Sequence, residues 1–194
     1  GYNTTIPFEL PVEPSRAEIP EDRHERARTA AGFWHTHLSP LHGALIGATV
    51  LNDGVMMRPT LIESYETADG EVLYEFEPRQ LRRVMKKSTA RQLKSMMQRT
   101  THVGTARKYF RFRNEFPRDV RAGGKTGTLS RKKPSYLGYT WFVGFGEDEE
   151  DESIEVAVGG LVCNKPLWHI KGPWAASEAI RKYVQVERKK KKET

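Results

Sequence analysis

The 194-residue sequence has a single cysteine, Cys163, and no apolar stretch longer than the nine residues 43–51. One cysteine cannot close an internal disulfide, so the sequence leaves the redox compartment open. Nine apolar residues fall far short of the roughly twenty that a spanning helix needs. No internal repeat is visible. Gly1 is preceded by no initiator methionine and followed by no secretory leader, which leads us to expect a mature or excised piece of a longer chain. What is present excludes wholly disordered and collagen-like chains. Hydrophobic residues make up 37% and glycine contributes 16 more positions, enough for a core at the low end of globular usage. The length fits one domain, or a large piece of one.

The formal charge is +7, which raises the possibility of a nucleic-acid partner. Its placement argues against one. The tail at 188–194, RKKKKET, carries a net +4 and leaves only +3 on residues 1–187. A run of like charge at a terminus is expected to be solvated and frayed, and a basic end can also be drawn to anionic lipid. The expected organisation is one globular portion over 1–187 and a disordered basic tail over 188–194.

Along the chain, residues 1–30 are rich in Pro, Glu and Arg and read as an irregular connection with a short helix near 22–31. Ser39 and Pro40 then mark a helix start. Leu41, Ala44, Leu45, Ala48 and Leu51 follow at helical spacing, and Asn52-Asp53-Gly54 stops the helix. Gly43 and Gly47, four apart, suggest a close approach on one face. Residues 60–77 read as a hairpin around Asp69-Gly70. A second helix is expected from Ser88 as its cap, with Leu93, Met96 and Met97 inward, then a short helix capped by Thr105. From residue 120 the period becomes two. Three strands are expected, with the acidic run 147–152 as an exposed turn between the last two. The closing helix, starting near Gly172, should bury Trp174, Ala175, Ala179, Ile180 and Tyr183 or Val184. This order describes an α+β fold.

The stretch AGGKTGT, residues 122–128, admits two readings. A phosphate-binding loop needs a glycine five positions before Gly124, where Asp119 stands, a buried strand before it, and a helix after Thr126. The chain instead continues Gly127-Thr128-Leu129-Ser130 toward Pro134, so all three requirements fail. The other reading makes Lys125–Thr128 part of a strand with little side-chain bulk. An extended peptide ending in a carboxylate could lie along it, met by an ammonium and two hydroxyl donors.

Lys-Thr-Gly is the third signature of penicillin-binding proteins and class A β-lactamases. Its neighbours LSPLHGALIGATVLNDG (residues 38–54), VGTA (103–106) and YTWFVGF (139–145) stand in the order of the C-terminal half of a transpeptidase domain. From about Phe8 to Tyr183 the chain resembles the penicillin-binding proteins. That resemblance implies the C-terminal part of the penicillin-recognising fold, an antiparallel sheet with helices packed on it. It implies a serine-type D,D-transpeptidase of peptidoglycan, acylated by stem peptides ending in D-Ala-D-Ala and by β-lactams. Lys125 would tune charge and assist proton movement, Thr126 and Thr128 would hold the substrate carboxylate, and Gly127 would leave room for its backbone. The Thr128 backbone N–H would supply half of an oxyanion hole. Neither a metal nor an organic cofactor is required.

Two family signatures are missing. There is no Ser-x-Asn, and the sole Ser-x-x-Lys, Ser130 to Lys133, follows the strand and precedes Pro134 rather than opening a helix. The resemblance therefore implies a nucleophile in a missing N-terminal half of the domain, and a fragment inactive by itself. It further implies a site on the extracytoplasmic face of the membrane, with an anchor upstream. The rival readings are a β-lactamase or penicillin sensor, and a phosphate- or nucleic-acid-binding fragment.

Other features have plainer readings. His35, His37 and His42 match no known ligand spacing and read as surface or packing histidines. The basic and aromatic stripe at 107–121 is expected to be a connector with Phe110 and Phe116 buried, rather than a nucleic-acid platform. Trp141 and Phe142 read as alternating strand residues, and Cys163 as a small core residue.

Overall fold

The computed structural model describes residues 1–32, 34–111 and 115–193. Its first half contains β1 (Arg16–Ala17), α1 (Arg23–Ala30), β2 (Thr36–His37), α2 (Pro40–Leu51), β3 (Val55–Met57), β4 (Ser64–Glu66), β5 (Val72–Glu75) and β6 (Gln80–Arg83). Then follow α3 (Lys87–His102), a single 3-10 turn (Arg107–Tyr109), β7 (Val120–Arg131), β8 (Leu137–Asp148), β9 (Glu155–Asn164) and α4 (Gly172–Glu193). Strands β7, β8 and β9 form one antiparallel meander with β8 in the middle. The smaller pairings are β1 with β2, β3 with β6, and β4 with β5.

Strand alternation sends the side chains of β8 to two different layers. Val143 and Phe145 face α2 and α3, where Phe145 packs with Val50 and Met97. Phe142 faces the other way and packs with Ala106 and Ala176. The sheet is thus covered by α2 and α3 on one face and by α4 on the other. Burying a ring such as Phe142 or Phe145 contributes roughly 1.5–3 kcal/mol. A third cluster, Phe116, Val120, Ile154, Ile180 and Val184, closes the foot of the sheet beneath α4.

Helix α2 starts as expected, with the Ser39 hydroxyl accepting from the His42 N–H at 3.3 Å. Gly43 and Gly47 bring it down onto the sheet. A Cβ at Gly47 would collide with the Gly144 carbonyl, so only glycine permits this approach. In the long N-terminal connection, α1 is capped by Asp22, whose carboxylate accepts from the Glu25 N–H. The hairpin stands where its turn residues indicated, with Gly70 at φ +85° and Tyr65 stacked on Tyr74 at 5.1 Å.

Several expectations fail in detail. Helix α3 begins two residues early, with Lys86 at its cap and no side-chain capping bond, so Ser88 is inside the helix. Met97 is buried but Met96 is exposed. The short helix near 105 is only a 3-10 turn that follows Ala106. Helix α4 buries Pro173, Ala176, Ser177, Ile180 and Val184, leaving Trp174, Ala179 and Tyr183 exposed. Its phase is fixed at both ends of the sheet. The Gly172 N–H donates to the Thr140 hydroxyl at 2.9 Å, and Ile180 fills the space left by Gly146. Cys163 is exposed on β9, not in the core.

The basic tail is helical through Glu193 rather than frayed. Arg188 donates to both carboxylate oxygens of Asp148 at 2.5 and 2.7 Å and also pairs with Asp119, while Lys191 meets Asp151. The acidic run at 147–152 is correspondingly not all turn. Asp148 is buried and ends β8, pointing at α4.

Candidate functional site

Lys125, Thr126, Gly127 and Thr128 lie in the middle of β7, opposite Val143, Phe142, Trp141 and Thr140 of β8. β7 is an edge strand, with β8 its only strand neighbour among the described residues. An edge strand presents alternate backbone N–H and C=O groups outward, where an added peptide can pair with them. Below the site α3 crosses the strand, and the Thr101 hydroxyl donates to the Ala122 carbonyl at 2.5 Å. Beyond Ala122 the outer side is open. There the Lys125 ammonium, itself exposed, folds back to donate to the Thr126 carbonyl at 2.6 Å.

The glycines around the lysine have two different jobs. A Cβ at Gly123 would enter the Phe145 ring, and one at Gly124 would enter the Phe142 ring. These two are glycine because the core rings occupy both faces of β7 at that point. Gly127 differs, for a Cβ there would meet only Trp141, at 3.2 Å from its Cβ.

Lys125 and Thr126 leave the strand on opposite faces. Lys125 shares the face of Val143, toward α2, whereas Thr126 and Thr128 share the face of Phe142 and Thr140. The Thr126 hydroxyl lies 2.9 Å from the hydroxyl of Thr105, just before the 3-10 turn. Thr105 was expected only to cap a helix. The signal that could have found it is the VGTA stretch, which sits beside the strand rather than apart from it.

A cavity of about 560 Å³ lies lower, between α3 and the start of β7, lined by Gln98, Arg99, His102, Phe116, Arg121 and Ala122 among others. It does not extend to Lys125–Thr128. A ligand that adds to a strand edge needs no enclosed cavity, so the donor set on β7 remains the candidate site. Ser130 also lies in β7 and is exposed, and Lys133 stands in the following turn. That Ser-x-x-Lys is not on a helix.

The other candidates separate. His42 is buried against the Tyr2 ring, and its Nδ1 has no partner among the described residues. Burial holds its pKa below the usual histidine value. His35 stands 3.2 Å from Glu25. Among the described residues no three His, Cys, Asp or Glu side chains are grouped to hold a metal. In the 107–121 stripe, Phe116 is buried and Phe110 stacks on Phe142 at 5.1 Å. Its middle, 112–114, lies outside the described residues.

Residues 1–160 match the family described as the penicillin binding protein transpeptidase domain. The peptidoglycan D,D-transpeptidase PbpA of Mycolicibacterium smegmatis is 29% identical over 126 residues, which is 62% of this chain and 23% of that protein. The imipenem acyl-enzyme complex of penicillin-binding protein A from M. tuberculosis superposes with a TM-score of 0.73 at 25% identity, covering 95% of this chain and 39% of that one. The D,D-transpeptidase domain of a peptidoglycan glycosyltransferase from Eggerthella lenta gives 0.72 at 22% identity, covering 96% and 46%. The chain therefore spans under half the length of each of these relatives.

Proposed function

Because this chain belongs to the penicillin-binding protein transpeptidase domain family, we propose that it supplies the substrate-binding strand of a peptidoglycan D,D-transpeptidase. The acyl-accepting serine comes from a part of the protein outside these 194 residues. This piece alone forms no acyl-enzyme. The observation that carries the reading is the Lys-Thr-Gly-Thr segment in the middle of an edge strand, with Lys125 and Thr128 exposed and Thr126 and Gly127 half-buried.

In this reading a stem peptide ending in D-Ala-D-Ala lies along β7. The Thr126 and Thr128 hydroxyls donate to its terminal carboxylate, and Lys125 supplies positive charge near the reacting serine. Lys125 reaches the Thr126 carbonyl from outside the sheet. Strand alternation turns the Thr128 backbone the same way, so its N–H can face an oxyanion at the scissile carbonyl. The serine oxygen bonds to that carbonyl carbon and the terminal D-alanine leaves with a proton on its nitrogen. An amine from a second stem peptide then attacks the acyl-serine, forms the cross-link and releases the serine. A β-lactam follows only the first half, its opened ring remaining attached. The reaction belongs outside the cytoplasmic membrane, with an anchor elsewhere in the protein. No described helix is long and apolar enough to span a membrane.

Incubating the intact protein with benzylpenicillin and weighing it tests this reading. One stable adduct per molecule, on a serine outside this chain, is expected. A protein that hydrolyses the antibiotic rapidly without accumulating an adduct would instead be a β-lactamase relative.

A further inference from the structure

The charge on this molecule is unevenly placed. No Asp or Glu occurs between Glu77 and Glu115, between Asp119 and Glu147, or between Glu155 and Glu178. In the fold these acid-free stretches meet around the open half of β7. The strand continues from Thr128 to Arg131 and turns through Lys132 and Lys133, all three cations exposed. At about 3.4 Å per residue, Arg131 lies roughly 10 Å beyond Thr128. On the other side Thr105 touches Thr126, and the exposed Arg107 follows two residues later. Trp168 fills the space left by Gly138, which is opposite Ser130, and this brings the exposed Lys165 and the partly exposed Lys171 to the same end. The ion pairs of the acidic groups lie elsewhere, at Asp53, Glu147, Asp148 and Asp151. Arg107, Arg131, Lys132 and Lys133 take part in no ion pair among the described residues.

We propose that this acid-free, cationic rim makes the Lys125–Thr128 site select acyl donors that carry further carboxylates besides the terminal one. A stem peptide with free side-chain carboxylates is thus preferred over the same peptide with those groups amidated. The inference rests on the transpeptidase reading and refines its substrate. One charge needs no more than a strand edge with an ammonium and two hydroxyls. Four cations in no ion pair among the described residues, with Lys165 and Lys171 at the same end, create a field that acts on the whole donor before it docks, and such fields raise association rates by tenfold or more. At about 10 Å the effect is strong when the screening length is about 30 Å and negligible when it is about 3 Å.

The test uses the intact protein and two depsipeptide donors with identical acyl-D-alanyl ends, one with two free side-chain carboxylates and one with both amidated. The second-order acylation rate is measured at about 0.01 M and about 1 M salt. The carboxylate donor should react about tenfold faster at low salt, the ratio falling toward one at high salt. Replacing Arg131, Lys132 and Lys133 together by Gln should cut the low-salt ratio to about threefold. Equal rates at low salt, or a faster amidated donor, overturn the inference and leave the transpeptidase reading standing. If neither donor acylates the protein, both fall. The wild-type salt dependence decides the matter even where the triple variant folds poorly.

Discussion

Two hydroxyls and two rings set the local character of the candidate site. The Thr105 and Thr126 hydroxyls share a hydrogen bond of 2.9 Å, which restricts the Thr126 rotor that our reading aims at a substrate carboxylate. Thr105→Val removes the partner while keeping the shape. In the intact protein it should slow β-lactam acylation about threefold to tenfold, the scale of one lost hydrogen bond, and a quantitative labelling time course would show it. The rings of Phe142 and Phe145 explain the glycine pair that precedes Lys125. Gly124→Ala drives a methyl group into a fully buried ring held between Ala106 and Ala176. Overpacking of this kind costs about 1–3 kcal/mol, and urea unfolding should report it as a lower midpoint. From sequence, glycine on this strand reads as little side-chain bulk beside a ligand. Spacing cannot tell space left for a partner from space filled by a core ring about twenty residues further on.

At the level of elements, the periodic segments were legible and the long-range partners were not. The Ser39-Pro40 start of α2 and its glycine pair follow from local chemistry, as do the three long strands. The last turns of α4 do not. Residues 188–192 look like a solvated cationic run until Asp119, Asp148 and Asp151, each far away in sequence, are placed beside them. Asp148 is held below the ordinary carboxylate range chiefly by the hydrogen bonds from Arg188, and Asp151 at about 2 chiefly by the bond from Lys191. With folded-state values depressed, the unfolded chain takes up these protons first. The stability they contribute is fully present above about pH 4 and is lost as the pH falls toward about 2. Circular dichroism should therefore show helix loss across that window. Asp148→Asn breaks a bidentate pair whose acid is buried, and should lower stability at neutral pH by roughly 3 kcal/mol. A change under 0.5 kcal/mol would mean that the pair holds nothing.

Across the whole molecule, the sheet separates two ends of different charge. The foot gathers Asp119 and the acidic residues from Glu147 to Glu155. The end that bears Lys125–Thr128 has no acid in its strands or turn. The α+β class and the four-residue core of the candidate site could be read from the sequence, because both reside in local patterns. The opposite faces taken by Lys125 and Thr126, and the place of Thr105, needed the register of β7 against β8 and the packing of Ala106 on Phe142. The central claim is that Lys125 acts in acylation. Lys125 is exposed, so Lys125→Ala removes its charge without disturbing the core. The decisive measurement is the second-order rate of benzylpenicillin acylation of the intact protein, wild type against Lys125→Ala. Our account predicts a loss of about two to three decades, the scale of losing a key electrostatic donor. A variant that acylates within about threefold of wild type would contradict it.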